Sequence, residues 1–169
     1  MTRLIILALC LFAHPIFAVN QTVAKQEPAN ETIPAPAFAL KDLRGRSVRL
    51  DERKGQVLLL NFWATWCAPC LAEVPYLLKL QKEYGSRGLQ IIGITFPPTD
   101  RAKVLRMVRR FKIKYTVLFG SDKTASDYGV GEALPTTIVV DREGKIHARI
   151  LGTLEPEEFN EKIKPLMGK

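Results

Sequence analysis

Two cysteines and a carboxylate, Cys67, Cys70 and Glu73, are the residues of this chain whose types and spacing point most directly to chemistry. Two intervening residues let both sulfurs lie on one side of a helical first turn, close enough to join as a disulfide. Such a pair is either a redox couple or half of a zinc site. Structural zinc usually takes four ligands, commonly from two such pairs. Past residue 18 the sequence adds only His147 to the two thiols, so the pair reads as a redox couple and no metal is expected.

The elements that must position the pair are legible on either side of it. Residues 57–60 form a short apolar run, the pattern of a strand covered on both faces. Residues 68–84 carry Leu71, Val74, Leu77, Leu78 and Tyr84 at helical spacing. Cys67 is therefore expected at a helix N-terminus, where free N–H groups and the helix dipole favour an anion. A thiolate is such an anion, so Cys67 is expected to be an acidic, exposed nucleophile. Cys70, one turn on, should be the more covered partner. Pro69 falls in the first turn, where its missing N–H costs nothing, and Pro75 is expected to kink the helix.

The stretch Asn61-Phe62-Trp63-Ala64-Thr65-Trp66-Cys67-Ala68-Pro69-Cys70, with Glu73, Pro75 and the later Leu134-Pro135-Thr136-Thr137, resembles the thioredoxin superfamily. More narrowly it resembles the TlpA/ResA-like thiol-disulfide oxidoreductases of the bacterial cell envelope, over roughly residues 36–169. The resemblance implies an α/β thioredoxin-like fold: a central mixed sheet flanked by helices, with an N-terminal β-hairpin extension. It implies that Cys67 and Cys70 are the catalytic disulfide and that Pro135 follows a cis peptide bond and lies against it. Trp66, Leu134 and Pro135 would then contact substrate. Thioredoxins carry a buried aspartate where this chain has Asn61, and an amide cannot shuttle a proton. Glu73 stands where the TlpA/ResA-like proteins carry a functional glutamate, and desolvation beside the disulfide would raise its pKa and let it move the proton of Cys70.

The resemblance further implies a reductase without a cofactor. Its substrates would be disulfide-containing envelope proteins, including those of cytochrome c maturation, and its electrons would come from a membrane thiol-relay protein. The residues leave the direction open: an acidic Cys67 stabilises the dithiol and favours an oxidase or isomerase, whereas the resemblance favours a reductase. Rivals of similar fold fit less well. A peroxidase wants Thr or Ser where this chain has Ala64, and a copper chaperone wants one more residue between its cysteines.

Residues 1–18 read as a signal peptide, with Arg3 ahead of the apolar run 4–13 and Ile16-Phe17-Ala18 before a turn to polar sequence. An uncleaved anchor is the alternative, although the run is interrupted by His14 and Pro15 and is short for a bilayer. Cys10 lies too early, after Leu9, for a lipoprotein signal. Residues 19–36, rich in Pro and Ala, read as a tether, and residues 37–169 as one domain. Export would put the pair in an oxidising compartment, periplasmic or otherwise extracytoplasmic. The chain has 169 residues, 47% hydrophobic, and a formal charge of +8. A surface this basic could suit nucleic acid, anionic lipid or an acidic partner, but solubility is the simpler reading, and no nucleic-acid partner is expected.

Along the domain, residues 38–50 read as a hairpin turning at Gly45, and 89–94 and 115–119 as strands. Residues 101–112 read as a surface helix with Lys103, Arg106, Arg109 and Arg110 outward. A short helical turn at 124–128, strands at 138–140 and 145–151, and a closing amphipathic helix at 155–167 complete the order. His147 is given no role.

Overall fold

The computed structural model describes residues 33–168. The expected leader at 1–18, with Cys10, and most of the expected tether at 19–36 lie outside the described residues. In chain order the elements are β1 (Ile33–Pro34), β2 (Ala39–Asp42), β3 (Ser47–Arg49), β4 (Val57–Trp63), α1 (Ala68–Tyr84), β5 (Leu89–Thr95), α2 (Arg101–Arg110), β6 (Thr116–Phe119), α3 (Asp122–Asp127), β7 (Thr136–Val140) and β8 (Lys145–Leu151). A closing helical segment follows.

The strands form one mixed sheet of eight, in the order β1-β8-β7-β4-β5-β6-β2-β3. β4 lies inside it, and all seven of its residues are buried. It pairs in parallel with β5 and antiparallel with β7. Side chains alternate across a strand, so β4 divides its residues between two cores. Val57, Leu59 and Trp63 pack with α1, Val104 of α2 and the closing segment. Leu58, Leu60 and Phe62 pack on the other face with the N-terminal hairpin and Tyr128, which follows α3. This is the thioredoxin-like arrangement expected from the sequence. The β2–β3 hairpin joins the sheet through antiparallel pairing of β2 with β6. At the opposite edge, Ile33 and Pro34, from the end of the expected tether, pair with Ile146 and Lys145 of β8.

Three local features depart from the sequence reading, and the first two have evident physical causes. The helix expected at 101–112 stops at Arg110. Ile113 N donates to Val108 O and Lys112 N to Arg109 O, with Lys112 at φ 52°. That is a Schellman stop, built on a lysine where glycine is the usual signal. The closing helix expected at 155–167 is not one α-helix. It passes from an α turn (Pro156–Glu158) through a π-helical turn (Phe159–Ile163) to a 3₁₀ turn (Lys164–Met167). Pro165 has no N–H for the carbonyl of Glu161. Lys164 N donates instead to Phe159 O, which moves the proline into the first turn of the new winding. The third is a second cis peptide, Pro97–Pro98, in the loop before α2.

Gly120, just past β6, has its N–H on Thr95 Oγ1 at 3.1 Å. A Cβ there would overlap the carbonyl oxygen of Thr95 and lie 2.9 Å from Ile94 Cγ2. Backbone cannot give way as a side chain can, and overpacking of a core typically costs about 1–3 kcal/mol. Gly120→Ala is therefore expected to lose about 2 kcal/mol in urea denaturation. A midpoint unchanged from the parent would contradict this packing.

Candidate active site

β4 ends at Trp63, and residues 64–66 carry the chain to Cys67, the N-cap of α1. Cys67 Sγ accepts the N–H of Cys70 at 3.3 Å. The two cysteines are joined as a disulfide with their Cα atoms 5.3 Å apart. Placement at the helix N-terminus is as the spacing predicts. Exposure of Cys67 is not: its residue is 5% accessible and Cys70 2%. As the N-cap, its sulfur folds over the first helical turn and joins the apolar cluster of Trp63, Ala64 and Val74. What stands out to solvent beside it is Trp66, 65% exposed. α1 runs on through Pro75 to Tyr84.

Glu73 belongs to the buried stripe of α1, with Cys70, Val74, Leu77 and Leu80. Asn61 has the parity of Leu59 and Trp63 on β4, which puts its side chain on the face that α1 covers. The helix stripe and the strand alternation thus bring two polar groups together inside an apolar cluster. Asn61 Nδ2 donates to Glu73 Oε2 at 3.2 Å and to Thr137 Oγ1 at 3.0 Å. Thr137 is the cross-strand partner of Asn61 on β7. The other carboxylate oxygen, Oε1, accepts the backbone N–H of Leu154 at 2.7 Å.

Desolvation raises the pKa of Glu73, since burial penalises the charged form. The N–H of Leu154 and the amide of Asn61 oppose this, and the nearby charges of Glu155 and Glu158 add to it. The net direction is up. A cavity of ≈ 300 Å³ lined by Ala72, Glu73, Tyr76, Leu154 and Glu155 adjoins the carboxyl. Protonation has a structural answer: turning the Asn61 amide over presents Oδ1 to a carboxyl O–H, while Thr137 Oγ1 can donate in its turn.

The Leu134–Pro135 peptide is cis. Phe62 pairs with Thr136 across β4 and β7, which sets Pro135 beside the end of β4 that leads into the cysteine loop. Pro135 is buried and Leu134 half-buried. Pro135 O accepts the N–H of Gly152 at 2.8 Å, which ties this loop to the end of β8. There Leu151, 67% exposed, adds an apolar side chain to the same end of the sheet as Trp66. Sequence reasoning missed Leu151, although a leucine on the solvent parity of an alternating strand was a signal. It also missed Asn61, Thr137 and Leu154 as the partners of Glu73. His147 lies half-buried on β8, away from this group.

The sequence model of the Redoxin family matches residues 28–163. The chain belongs to the Redoxin family. It is 34% identical over 168 residues to the thiol-disulfide oxidoreductase ResA of Geobacillus thermodenitrificans, covering 97% of this chain and 94% of that one. It is 36% identical over 163 residues to the thioredoxin-like protein YneN of Bacillus subtilis, covering 94% of each. Among solved structures, a thiol-disulfide oxidoreductase from Bacteroides fragilis is 31% identical with a TM-score of 0.69, over 79% of this chain and 98% of that one. The chain is thus a thiol-disulfide oxidoreductase of the ResA type with a thioredoxin-like fold.

The raised pKa of Glu73 has a signed consequence for stability. Between its unfolded value, near 4.5, and its higher folded value, the folded state holds a proton that the unfolded state has lost. Stability from this group is fully present below the unfolded value and is lost as pH rises through the folded value. Urea midpoints from about pH 4 to 8 are therefore expected to fall with rising pH for the parent relative to Glu73→Gln. A constant gap across that range would show that Glu73 titrates normally.

Proposed function

We propose that the protein is an extracytoplasmic disulfide reductase, exported by residues 1–18, that acts on disulfides of envelope proteins. The observation that carries the direction is the buried Glu73, one turn beyond Cys70. A desolvated carboxylate opposes a second negative charge on the sulfurs, and so offsets the pull of the helix N-terminus on the thiolate. A dithiol less stabilised by ionisation is the stronger reductant.

In the proposed cycle the Cys67 thiolate attacks a substrate disulfide and releases one substrate thiolate. Cys70 then gives its proton to the Glu73 carboxylate, and the Cys70 thiolate attacks Cys67 Sγ. The second substrate thiolate leaves, Cys67 and Cys70 end as the disulfide, and two electrons have passed to the substrate. Glu73 returns its proton through the adjoining cavity. Trp66 and Leu134 flank the approach to the sulfurs. Pro135 removes a backbone donor where an extended substrate segment would lie, and the backbone of Leu134 would pair with it. Re-reduction falls to a membrane thiol-relay protein, and cytochrome c maturation is the pathway this reading fits. Membrane separation of cells expressing the full chain tests the location.

Two measurements test the chemistry. Cys70→Ala is expected to accumulate a mixed disulfide through Cys67, seen by mass spectrometry without reductant, while Cys67→Ala accumulates none. Glu73→Gln is expected to slow exchange about tenfold or more at pH 7, with the deficit closing at alkaline pH where Cys70 ionises unaided. Equal rates at every pH would remove Glu73 from the cycle. The redox midpoint of the pair is expected nearer to about −270 mV than to about −120 mV; the reverse would make the protein an oxidase.

A further inference from the structure

We propose that the basic flank of α2, with the groove between the β2–β3 turn and β6, docks an acidic polypeptide segment of the protein whose disulfide is exchanged. The proposal rests on the exchange chemistry above and concerns a surface outside the redox centre.

From Arg101 to Ser121 the sequence has seven basic residues and no acidic one. Among the described residues, Arg44, Arg106, Arg109, Lys112 and Lys114 enter none of the ion pairs. Arg101 and Arg109 lie eight residues apart on one flank of α2. Arg101 Nη2 donates to the carbonyl of Leu43 at 2.7 Å, so this flank faces the β2–β3 turn. The Schellman stop then turns the chain so that Lys112 and Lys114 are both exposed and Ile113 is buried. Lys114 lines a groove of ≈ 260 Å³ with Arg44, Arg46, Thr116 and Val117. Asp42 also borders it, but its carboxylate is held by Arg46 at 2.8 Å and by the N–H groups of Arg44 and Arg46.

The groove offers backbone as well as charge. The last residue pair of β2 with β6 is Asp42 with Leu118. Among the described residues no strand flanks the outer edge of β6 at Thr116 and Val117. An extended segment can pair with such an edge, with basic side chains on either side selecting for acid.

The position suits a redox partner. β4 and β5 are parallel neighbours, so the cysteine loop and the loop into α2 leave the same end of the sheet. Ala64 and Thr65 share one small crevice with Asp100 and Val104. A ten-residue helix is about 15 Å long, so the basic flank begins beside the redox loop and runs away from it. About five extended residues span that length.

A membrane surface fits less well than a polypeptide. Interfacial helices put an apolar face into the bilayer, and the apolar face of α2 is turned to the sheet. Among the described residues the exposed large apolar ones are Ile33, Trp66 and Leu151, none of them on α2. A flat surface also leaves a groove unfilled.

The test uses the full chain and a variant carrying Arg44→Ser, Arg109→Ser and Lys114→Ser. A labelled, disulfide-free peptide of six Asp and Glu residues reports docking alone, by anisotropy. Expected is binding that weakens steeply with salt and falls about tenfold or more in the variant. Two further peptides share one intramolecular disulfide and a five-residue spacer, with an acidic or a Ser/Gln tail. Here the acidic tail is expected to raise kcat/KM about tenfold at low salt for the parent only. The Ser/Gln peptide should be reduced equally by both proteins, and its rate reports the exchange chemistry by itself. Equal binding of the acidic peptide to both proteins overturns the docking surface. So does binding without any gain in kcat/KM. Loss in the variant of binding to phosphatidylglycerol vesicles, with no peptide preference in either protein, overturns it in favour of a lipid surface.

Discussion

The structure turns on a carboxylate held out of water against a strand. Glu73 is 4% exposed, on the buried stripe of a helix whose other members are apolar or sulfur. A charge in such a place is tolerated only when hydrogen-bond donors replace its water. Three elements are arranged to supply or support them. β4 brings Asn61, β7 brings Thr137 behind it, and the loop after β8 brings the N–H of Leu154. Each depends on register. A slip of one residue on β4 would carry Asn61 to the opposite face of the sheet and leave the carboxylate without a side-chain donor. The same slip would send each apolar set of β4 into the core shaped for the other. Fold and site are thus specified by one pairing pattern.

Two opposing electrostatic influences meet at the cysteines. The N-terminus of α1 favours an anion on Cys67, and the N–H of Cys70 points at its sulfur. Glu73, buried one turn further along the same helix, favours neutrality while it is charged. Because its own pKa is raised, the balance shifts with pH in a range where an ordinary surface glutamate would stay ionised. Proton uptake at Glu73 removes the charge that opposes the thiolate. In the proposed cycle this ties the loss of a proton from Cys70 to the gain of one next to it.

Much of the frame was legible in the sequence because it rests on local pattern. The apolar run of β4, the helical spacing after Cys67 and the hairpin turn at Gly45 are each carried by adjacent residues. The pairing of the cysteines follows from spacing within one helical turn. The companions of Glu73 were not legible. Asn61, Thr137 and Leu154 lie far apart in the chain and meet only through sheet register and the return of the C-terminal loop. Winding of the closing segment was hidden for another reason: Pro165 has helical residues on both sides, and a π-helical turn absorbs it without a break in the apolar spacing. The stop of α2 was hidden because Lys112 occupies the left-handed position that glycine normally marks.

The end of the sheet that carries the disulfide presents two kinds of surface. Trp66 and Leu151 are apolar and exposed, one on each side of the strand ends that hold Pro135. The basic flank begins across the loop into α2. Apolar contact is short-ranged and acts on residues next to a disulfide once it has arrived. Charge acts across about a Debye length, near 10 Å at 0.1 M salt, and biases how a partner turns before contact. In the proposed docking mode the two therefore act in sequence. The unpaired cations orient an acidic segment along α2, and the apolar pair then receives the residues around the scissile disulfide. This division also explains how the sulfurs can be largely covered in the disulfide form without loss of function. Selection is made on the surrounding surface, and the sulfur needs access only along the line of attack.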